Sequence, residues 1–388
     1  MNGLGVPVGL METYKRMPVE FVSGTGAELF DDSGKSYIDL VAGLGVATVG
    51  HSHPHVVDAI ATQAHRLLHV SNLYYTRPAL ELAERLHVLT GMQAFFCNSG
   101  AEAIECAFKL ARRVKGSGRV IAANGGFHGR TFGALSLTGQ PPKQAPFAPL
   151  VPGVVHVPFG DPAAVEAIFA EGDVIAVLLE PIQGENGVIV PPSGYLKAVE
   201  KMCRANEAFL IVDEVQTGYG RTGTFFAHEY DGVTPDIVCI AKAMAGGLPM
   251  GACLARPPVA AGFELGDHGS TFGGGPVQSA AALAVLDVIE KEGLIERSLA
   301  IGERLGEKLT LAFPEAIEIR GRGAMIGIQL PSEHAAEVVA RALDKGVVLN
   351  NTSADVLRLL PPLAITDEQI DRATQTLGEV WTSITSGS

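Results

Sequence analysis

Asp236-Ile237-Val238-Cys239-Ile240-Ala241-Lys242-Ala243-Met244-Ala245-Gly246-Gly247 is an apolar run that ends on a lysine and opens into a loop of small residues. Apolar residues in a row, without alternation, describe a strand covered on both faces, as in a parallel sheet. Runs of the same kind stand at Ala94–Cys97, Val120–Ala123, Val174–Leu179 and Phe209–Val212. Helical patterns lie between several of them: Ile104, Ala107, Phe108 and Ala111 follow the i, i+3, i+4, i+7 spacing, and Tyr195–Ala205 is another such segment. Strands alternating with helices predict an α/β fold, a mostly parallel sheet with helices on both faces.

Outside this region the rhythm changes. Ala27–Phe30 and Tyr37–Leu40 flank Asp31-Asp32-Ser33-Gly34-Lys35, a turn-forming stretch, and read as a β-hairpin. Beyond about residue 280 a long helical stretch is followed by a Gly-rich turn (Gly321, Gly323) into a strand at Met325–Leu330. The expected organisation is an N-terminal segment 1–50 contributing to a small domain, a large domain 51–280, and a C-terminal small α/β domain 281–388.

Composition narrows the function. The chain has 388 residues, 47% of them apolar, enough for a sizeable core and against disorder. With 29 basic and 42 acidic side chains the net charge is −13, which argues against a nucleic-acid partner. The cysteines (97, 106, 203, 239, 253) are odd in number and include no C-x-x-C, as expected of thiols in a reducing compartment. Met1–Pro18 lacks a basic region followed by an apolar block, and the apolar runs are too short to span a membrane. A cytoplasmic protein with no membrane partner is the expectation.

In such sheets ligands bind beyond the carboxyl ends of the strands. One strand ends in Asn98-Ser99-Gly100-Ala101-Glu102, where the free N–H groups of a following helix would suit a phosphate; a plain helix cap by Ser99 fits the segment equally well. A second ends in Asp213-Glu214-Val215-Gln216, either a solvated acidic loop or a carboxylate for a metal or a cationic ring nitrogen. The third ends on Lys242, either a snorkelling surface lysine or a desolvated amine of lowered pKa able to condense with an aldehyde. A phosphate cradle, an acid and a buried lysine at successive strand ends are together the parts that pyridoxal phosphate requires.

At this point the chain resembles a known family, the class III (ω-amino) aminotransferases of pyridoxal-phosphate fold type I, and within it the branch acting on acetylornithine. The resemblance runs from about Tyr14 to the end. It is carried by Gly50-His51-Ser52-His53-Pro54, Asn98-Ser99-Gly100-Ala101-Glu102-Ala103, Phe127-His128-Gly129-Arg130-Thr131, Glu180-Pro181-Ile182-Gln183-Gly184-Glu185, Asp213-Glu214-Val215-Gln216-Thr217-Gly218, Ala241-Lys242-Ala243, Gly269-Ser270-Thr271-Phe272-Gly273-Gly274 and Arg358-Leu359-Leu360-Pro361-Pro362-Leu363. The resemblance implies that Lys242 carries the cofactor aldehyde and shuttles a proton. It implies that Asp213 pairs with the ring nitrogen, Gln216 bonds the phenolic oxygen, and Phe127 and Val215 sandwich the ring. Ser99, Gly100 and Ala101 would hold the phosphate, with Thr271 reaching it from the other subunit of a homodimer. Arg130, with Tyr14 nearby, would take the donor carboxylate, and Ser270 is grouped with the substrate-binding residues. Glu185 and Arg358 resemble a switch pair, Glu185 leaving Arg358 free when 2-oxoglutarate replaces the amino donor. The implied reaction moves the distal amino group of N-acetylornithine, or a similar N-acylated diamino acid, to 2-oxoglutarate in arginine biosynthesis. Acyl- or carrier-linked lysine, succinylornithine, ornithine and 4-aminobutyrate are the alternative donors.

The chain departs from the family pattern at Asn186, where relatives commonly have glycine, and at Gly275, where many have asparagine. Leu44 stands in a stretch where ornithine aminotransferases tend to carry an aromatic residue, which counts against free ornithine. Three rival readings stand beside this one. A metal-dependent hydrolase would use His51 and His53, but Pro54 makes that stretch a turn. A nucleotide binder would use Asn124–Arg130, but G-K-[ST] and G-x-G-x-x-G are missing. A catalytically dead binding protein is opposed by the presence of Lys242, Asp213 and Arg130.

Overall fold

The computed structural model describes residues 9–386, so the leader reading at Met1–Pro18 and the domain expectation for 1–50 lie in part outside the described residues. Among the described residues, the largest sheet has seven strands in the order Gln93–Cys97, Gly251–Ala255, Ile237–Ile240, Phe209–Asp213, Val174–Leu179, Arg119–Ala123, Val154–Val157. Every contact from Ile237–Ile240 onward is parallel, and only Gly251–Ala255 runs antiparallel to both its neighbours.

The continuous apolar runs are explained by the two faces. Ala176, Leu178 and Ile211 point to one side, against Ile104, Ala107 and Phe108 of the helix Gly100–Lys115. Val177, Leu179, Leu210 and Val212 point to the other, against Leu196 and Val199 of the helix Tyr195–Ala205. Because successive strand side chains alternate in direction, both sets must be apolar. The helix Gly100–Lys115 also suits its own dipole, with Glu102 in the first turn and Arg112, Arg113 and Lys115 in the last.

Two four-stranded sheets complete the frame. The N-terminal strands Phe21–Thr25, Glu28–Asp31 and Ser36–Asp39 form a meander, joined in parallel by Val347–Val348. The other sheet has the order Glu318–Arg322, Met325–Gln329, Val356–Leu359, Asn350–Asn351. Gly321, expected in a turn, lies inside the strand Glu318–Arg322; the tight reversal is at Gly323-Ala324. A Cβ at Gly321 would stand 2.0 Å from the Met325 carbonyl oxygen, so the glycine marks a close strand approach. The buried guanidinium of Arg221 ties these parts together, donating to the Ala324 carbonyl (3.1 Å), the Pro361 carbonyl (2.5 Å) and Thr48 Oγ1 (3.1 Å).

No helix among the described residues is long and apolar enough to cross a membrane.

Candidate active site

The strand ends converge on a cavity of about 470 Å³. Ten of the residues singled out in the sequence line it: Ser99, Gly100, Ala101, Phe127, Arg130, Glu185, Asp213, Val215, Gln216 and Lys242. Each arrives from the carboxyl end of a strand or from the loop beyond it, as a parallel sheet dictates. Val46 and the stretch Leu248–Met250 close the remaining walls.

Lys242 follows the strand Ile237–Ile240 and opens a one-turn 3₁₀ helix, with its φ at +43°. A non-glycine residue rarely adopts that conformation, and holding it there costs about 1–2 kcal/mol. The turn is held by Met244 N–H donating to the Ala241 carbonyl at 3.0 Å. Among the described residues the amine has no hydrogen-bond or ion-pair partner. Burial pushes its pKa below the ordinary lysine value, outweighing the attraction of Glu185, Asp213 and Glu180.

Asp213 is buried at the tip of the strand Phe209–Asp213. Its Oδ1 accepts the Val215 N–H at 3.0 Å and its Oδ2 lies 2.8 Å from His128 Nδ1. Burial alone would push the His128 imidazole down, but the hydrogen bond and charge of Asp213, with the Glu180 charge, carry its pKa above the ordinary value. The far nitrogen of His128, Nε2, is buried without a hydrogen-bond partner among the described residues. Glu180 is buried as well: its Oε2 accepts the Phe127 N–H (3.1 Å) and its Oε1 the Gly184 N–H (3.4 Å), and burial raises its pKa well above the carboxylate range. His128 and Glu180 stood inside quoted motifs without a role. Their positions become meaningful only when strand ends distant in sequence are brought together.

Arg358, on the strand Val356–Leu359 of a smaller sheet, does not line the cavity itself but contacts Glu185 and Gln216, which do. It is 1% exposed and donates to Glu185 Oε1 (2.5 Å), the Gly184 carbonyl (3.1 Å) and Gln216 Oε1 (3.4 Å). Burial pushes Glu185 up, yet the Arg358 and Lys242 charges and the bonds from Arg358 and Gln216 hold it below the usual carboxylate value. Gly184 is required here: a Cβ would stand 1.9 Å from Gln216 Oε1. Arg130 is exposed at the rim, its guanidinium 5.6 Å from the centre of the Phe127 ring and without a carboxylate partner among the described residues.

Besides Arg358, three expected site residues lie outside the cavity lining. Tyr14 is 75% exposed, away from the cavity, with Arg16 over its ring. Ser270 Oγ accepts from Asn98 Nδ2 (3.2 Å) and the Gly273 N–H (3.0 Å), behind the Ser99 loop. Thr271 lines a separate hollow of about 210 Å³ with Tyr74, Tyr75 and Phe96. Of the two departures, Asn186 Nδ2 donates to Gln183 Oε1 (2.9 Å), and Gly275 precedes the helix Pro276–Lys291. The histidines of the hydrolase reading go to separate carboxylates, His51 to Asp39 (2.7 Å) and His53 to Glu292 (2.9 Å). No group of three or more metal-ligating side chains exists among the described residues.

The family profile "Aminotransferase class-III" matches residues 11–380. The chain belongs to the class-III aminotransferases. This class-III aminotransferase is 49% identical to the acetylornithine aminotransferase of Mycobacterium tuberculosis over 367 residues, covering 93% of this chain and 91% of that one. Its fold is similar to a solved N-acetylornithine aminotransferase from Stenotrophomonas maltophilia (TM-score 0.85, 35% identity, 97% of this chain and 98% of that one). It is also similar to a solved ornithine aminotransferase from Toxoplasma gondii (TM-score 0.95, 33% identity, 98% and 94%). The backbone therefore does not separate the two substrate names, and the higher identity goes with the acetylated one. Class-III aminotransferases use pyridoxal phosphate, and the cavity fits it. An unpartnered amine, a buried carboxylate and the first N–H groups of the helix Gly100–Lys115, which that helix cannot satisfy itself, surround one space.

Proposed function

We propose that this aminotransferase moves the distal amino group of N-acetylornithine, or a closely similar N-acylated diamino acid, to 2-oxoglutarate. The products are the semialdehyde and glutamate. The observation that carries this reading is the arrangement of charge around one amine: Arg130 at the rim without a carboxylate partner among the described residues, and Arg358 buried against the partly exposed carboxylate of Glu185. A donor with its carboxylate on Arg130 presents an uncharged or cationic end to a neutralised Glu185–Arg358 pair. A dicarboxylic acceptor needs two cations, and displacing Glu185 frees the second. The 49% identity to acetylornithine aminotransferases supports the choice of donor.

Pyridoxal phosphate, when bound, supplies an electron sink for the carbon–hydrogen bond next to the substrate nitrogen. In this reading Ser99, Gly100 and Ala101 hold its phosphate, Phe127 and Val215 confine its ring, and Gln216 donates to its phenolic oxygen. The Asp213 carboxylate, oriented by His128, keeps a basic ring nitrogen protonated. Lys242 holds the cofactor and moves a proton at its Nζ, a task a lowered pKa suits. Tyr14 and Ser270 are assigned to the substrate side.

Homodimer assembly belongs to the same proposal. Leu73, Tyr75 and Phe272 are 86%, 90% and 60% exposed beside the hollow that holds Thr271. A second copy covering them would bring Thr271 toward its neighbour's phosphate site; light scattering that finds a monomer refutes this. The division into 51–280 and a smaller unit from 1–50 and 281–388 is supported by the pairing of Ser36–Asp39 with Val347–Val348. A cytoplasmic location is supported by five free, buried cysteines and is checked by fractionation.

The test is a half-reaction screen on the purified holoenzyme. N-acetylornithine is expected to bleach the resting absorbance fastest among the candidate ω-amines, and borohydride trapping should place the cofactor on Lys242. A label on another lysine, or no reaction with N-acetylornithine, refutes the reading.

A further inference from the structure

The turn that carries Glu185 has a brace of its own. Gln183-Gly184-Glu185-Asn186-Gly187-Val188-Ile189 reverses the chain, and Gln183 and Ile189 exchange both backbone hydrogen bonds at 3.0 Å. Inside that reversal the backbone bonds are long: the Gly187 and Val188 N–H groups both reach the Gly184 carbonyl at 3.4 Å. The same carbonyl accepts from Arg358 Nη1 at 3.1 Å, so the turn and the guanidinium share one acceptor. Val188 is buried with its φ at +57°, a conformation that a β-branched residue keeps only under restraint. A loosely bonded turn that holds a strained residue is suited to switching between two arrangements.

The firm side-chain tie in this turn is Asn186. Its Nδ2 donates to Gln183 Oε1 at 2.9 Å, and Gln183 Nε2 donates in turn to the Asn124 carbonyl at 2.9 Å. The amide also lies against Gly125, where a Cβ would stand 2.3 Å from Asn186 Nδ2. These contacts pin the Glu185 turn to the loop leading into Phe127, a neighbouring part of the cavity wall. Asn186 itself is exposed and does not line the cavity.

We propose that Asn186 is a positioning residue that holds this turn in the arrangement where Glu185 pairs with Arg358, and so sets how readily a dicarboxylic substrate is accepted. The inference rests on the proposed function, since it requires Glu185 to leave Arg358 when a second carboxylate arrives. The Asn186–Gln183 bond belongs to the paired arrangement, and a turn that moves with Glu185 gives it up. A contact made in only one of two states shifts their balance by the worth of that contact. The paired state is the one the structure adopts, so weakening it costs the amino donor little. A dicarboxylic substrate, which needs the other state, gains the full factor.

The experiment follows single turnovers of the holoenzyme by stopped-flow absorbance, with glutamate and with N-acetylornithine, in wild type, Asn186→Ala, Asn186→Gly and Glu185→Gln. Asn186→Ala is expected to tighten the apparent Kd for glutamate about threefold, the worth of one part-exposed hydrogen bond. Asn186→Gly should tighten it about tenfold, because glycine also widens the conformations open to the released turn. The apparent Kd for N-acetylornithine and the limiting rates of both half-reactions stay at their wild-type values. A bond that only stabilises the fold would impair both half-reactions or neither; either result, or weaker glutamate binding, overturns the inference. If Glu185→Gln does not tighten glutamate binding, the switch in the functional proposal has failed and this inference with it. If Glu185→Gln tightens it and the Asn186 variants do not, only this inference has failed.

Discussion

Replacing Glu185 by Gln tests the substrate switch. The variant keeps the shape and one acceptor oxygen but removes the charge 2.5 Å from the buried Arg358 guanidinium. At close range and intermediate dielectric, two unit charges attract by about 4 kcal/mol. Part of that is already offset by desolvating both groups. Glu185 is 28% exposed on the cavity side, which screens the pair further. A net change of about 2 kcal/mol remains, or roughly 30-fold in an equilibrium constant. The sign differs between the two half-reactions. Glutamate no longer has to displace a carboxylate from Arg358, so its apparent affinity should rise by about that factor. N-acetylornithine meets an unneutralised guanidinium beside its ammonium and should weaken by a similar factor. Stopped-flow single turnovers with each amino acid alone, followed by the absorbance of the resting enzyme, separate the two. If both half-reactions slow together, or neither moves, Glu185 is a structural partner of Arg358 and the switch reasoning is wrong.

Other expectations follow from the same geometry. Asp213→Ala should abolish nearly all turnover and weaken cofactor binding, because the ring nitrogen would lose the carboxylate, held by His128, that keeps it protonated; near-normal activity contradicts the assignment. Lys242 in cofactor-free protein should react with an acylating reagent at lower pH than the surface lysines: only the neutral amine is nucleophilic, and a lowered pKa enlarges the neutral fraction at any pH below the ordinary value of about 10.4. Competitive labelling by mass spectrometry reads this, and an inflection shared with the bulk lysines counts against it. Gly184→Ala must push Gln216 aside and should impair turnover more than it lowers the melting temperature. Arg221→Met leaves three buried acceptors without their donor and should cost about 3 kcal/mol in denaturant unfolding, with little loss if the guanidinium is not the tie it resembles.

The strands buried on both faces were legible because nothing polar interrupts them: Val174–Leu179 and the helix Tyr195–Ala205 keep the bounds read from the sequence. Two strands of the large sheet were not read. Val154–Val157 is a four-residue edge strand, and Gly251–Ala255 follows the Lys242 loop so closely that its apolar residues merge with it. Strand direction leaves no trace in composition, so its antiparallel run could not be anticipated. In the site, the Ser99 loop, Asp213 and Lys242 stood out by their places after apolar runs, and the remaining residues were named only through the family resemblance. His128 and Glu180 were passed over because a buried polar group gains meaning from its partner, and those partners are 85 and 53 residues away in the chain. The surroundings of Tyr14, Ser270 and Thr271 escape a single-chain reading for another reason, since each lies outside the cavity that one copy encloses.

Lys242 and Asp213 are set in the seven-stranded sheet, whereas Arg358 belongs to a different one. The lysine's loop is anchored at both ends, by Ile237–Ile240 before it and Gly251–Ala255 after it. Any hinge between the two sheets would therefore leave the amine of Lys242 stationary and change its distance to Arg358, the arginine proposed to sense charge. Evolution could retune which tail is welcomed by adjusting that hinge alone, while the bond-making end of the pocket stays as it is.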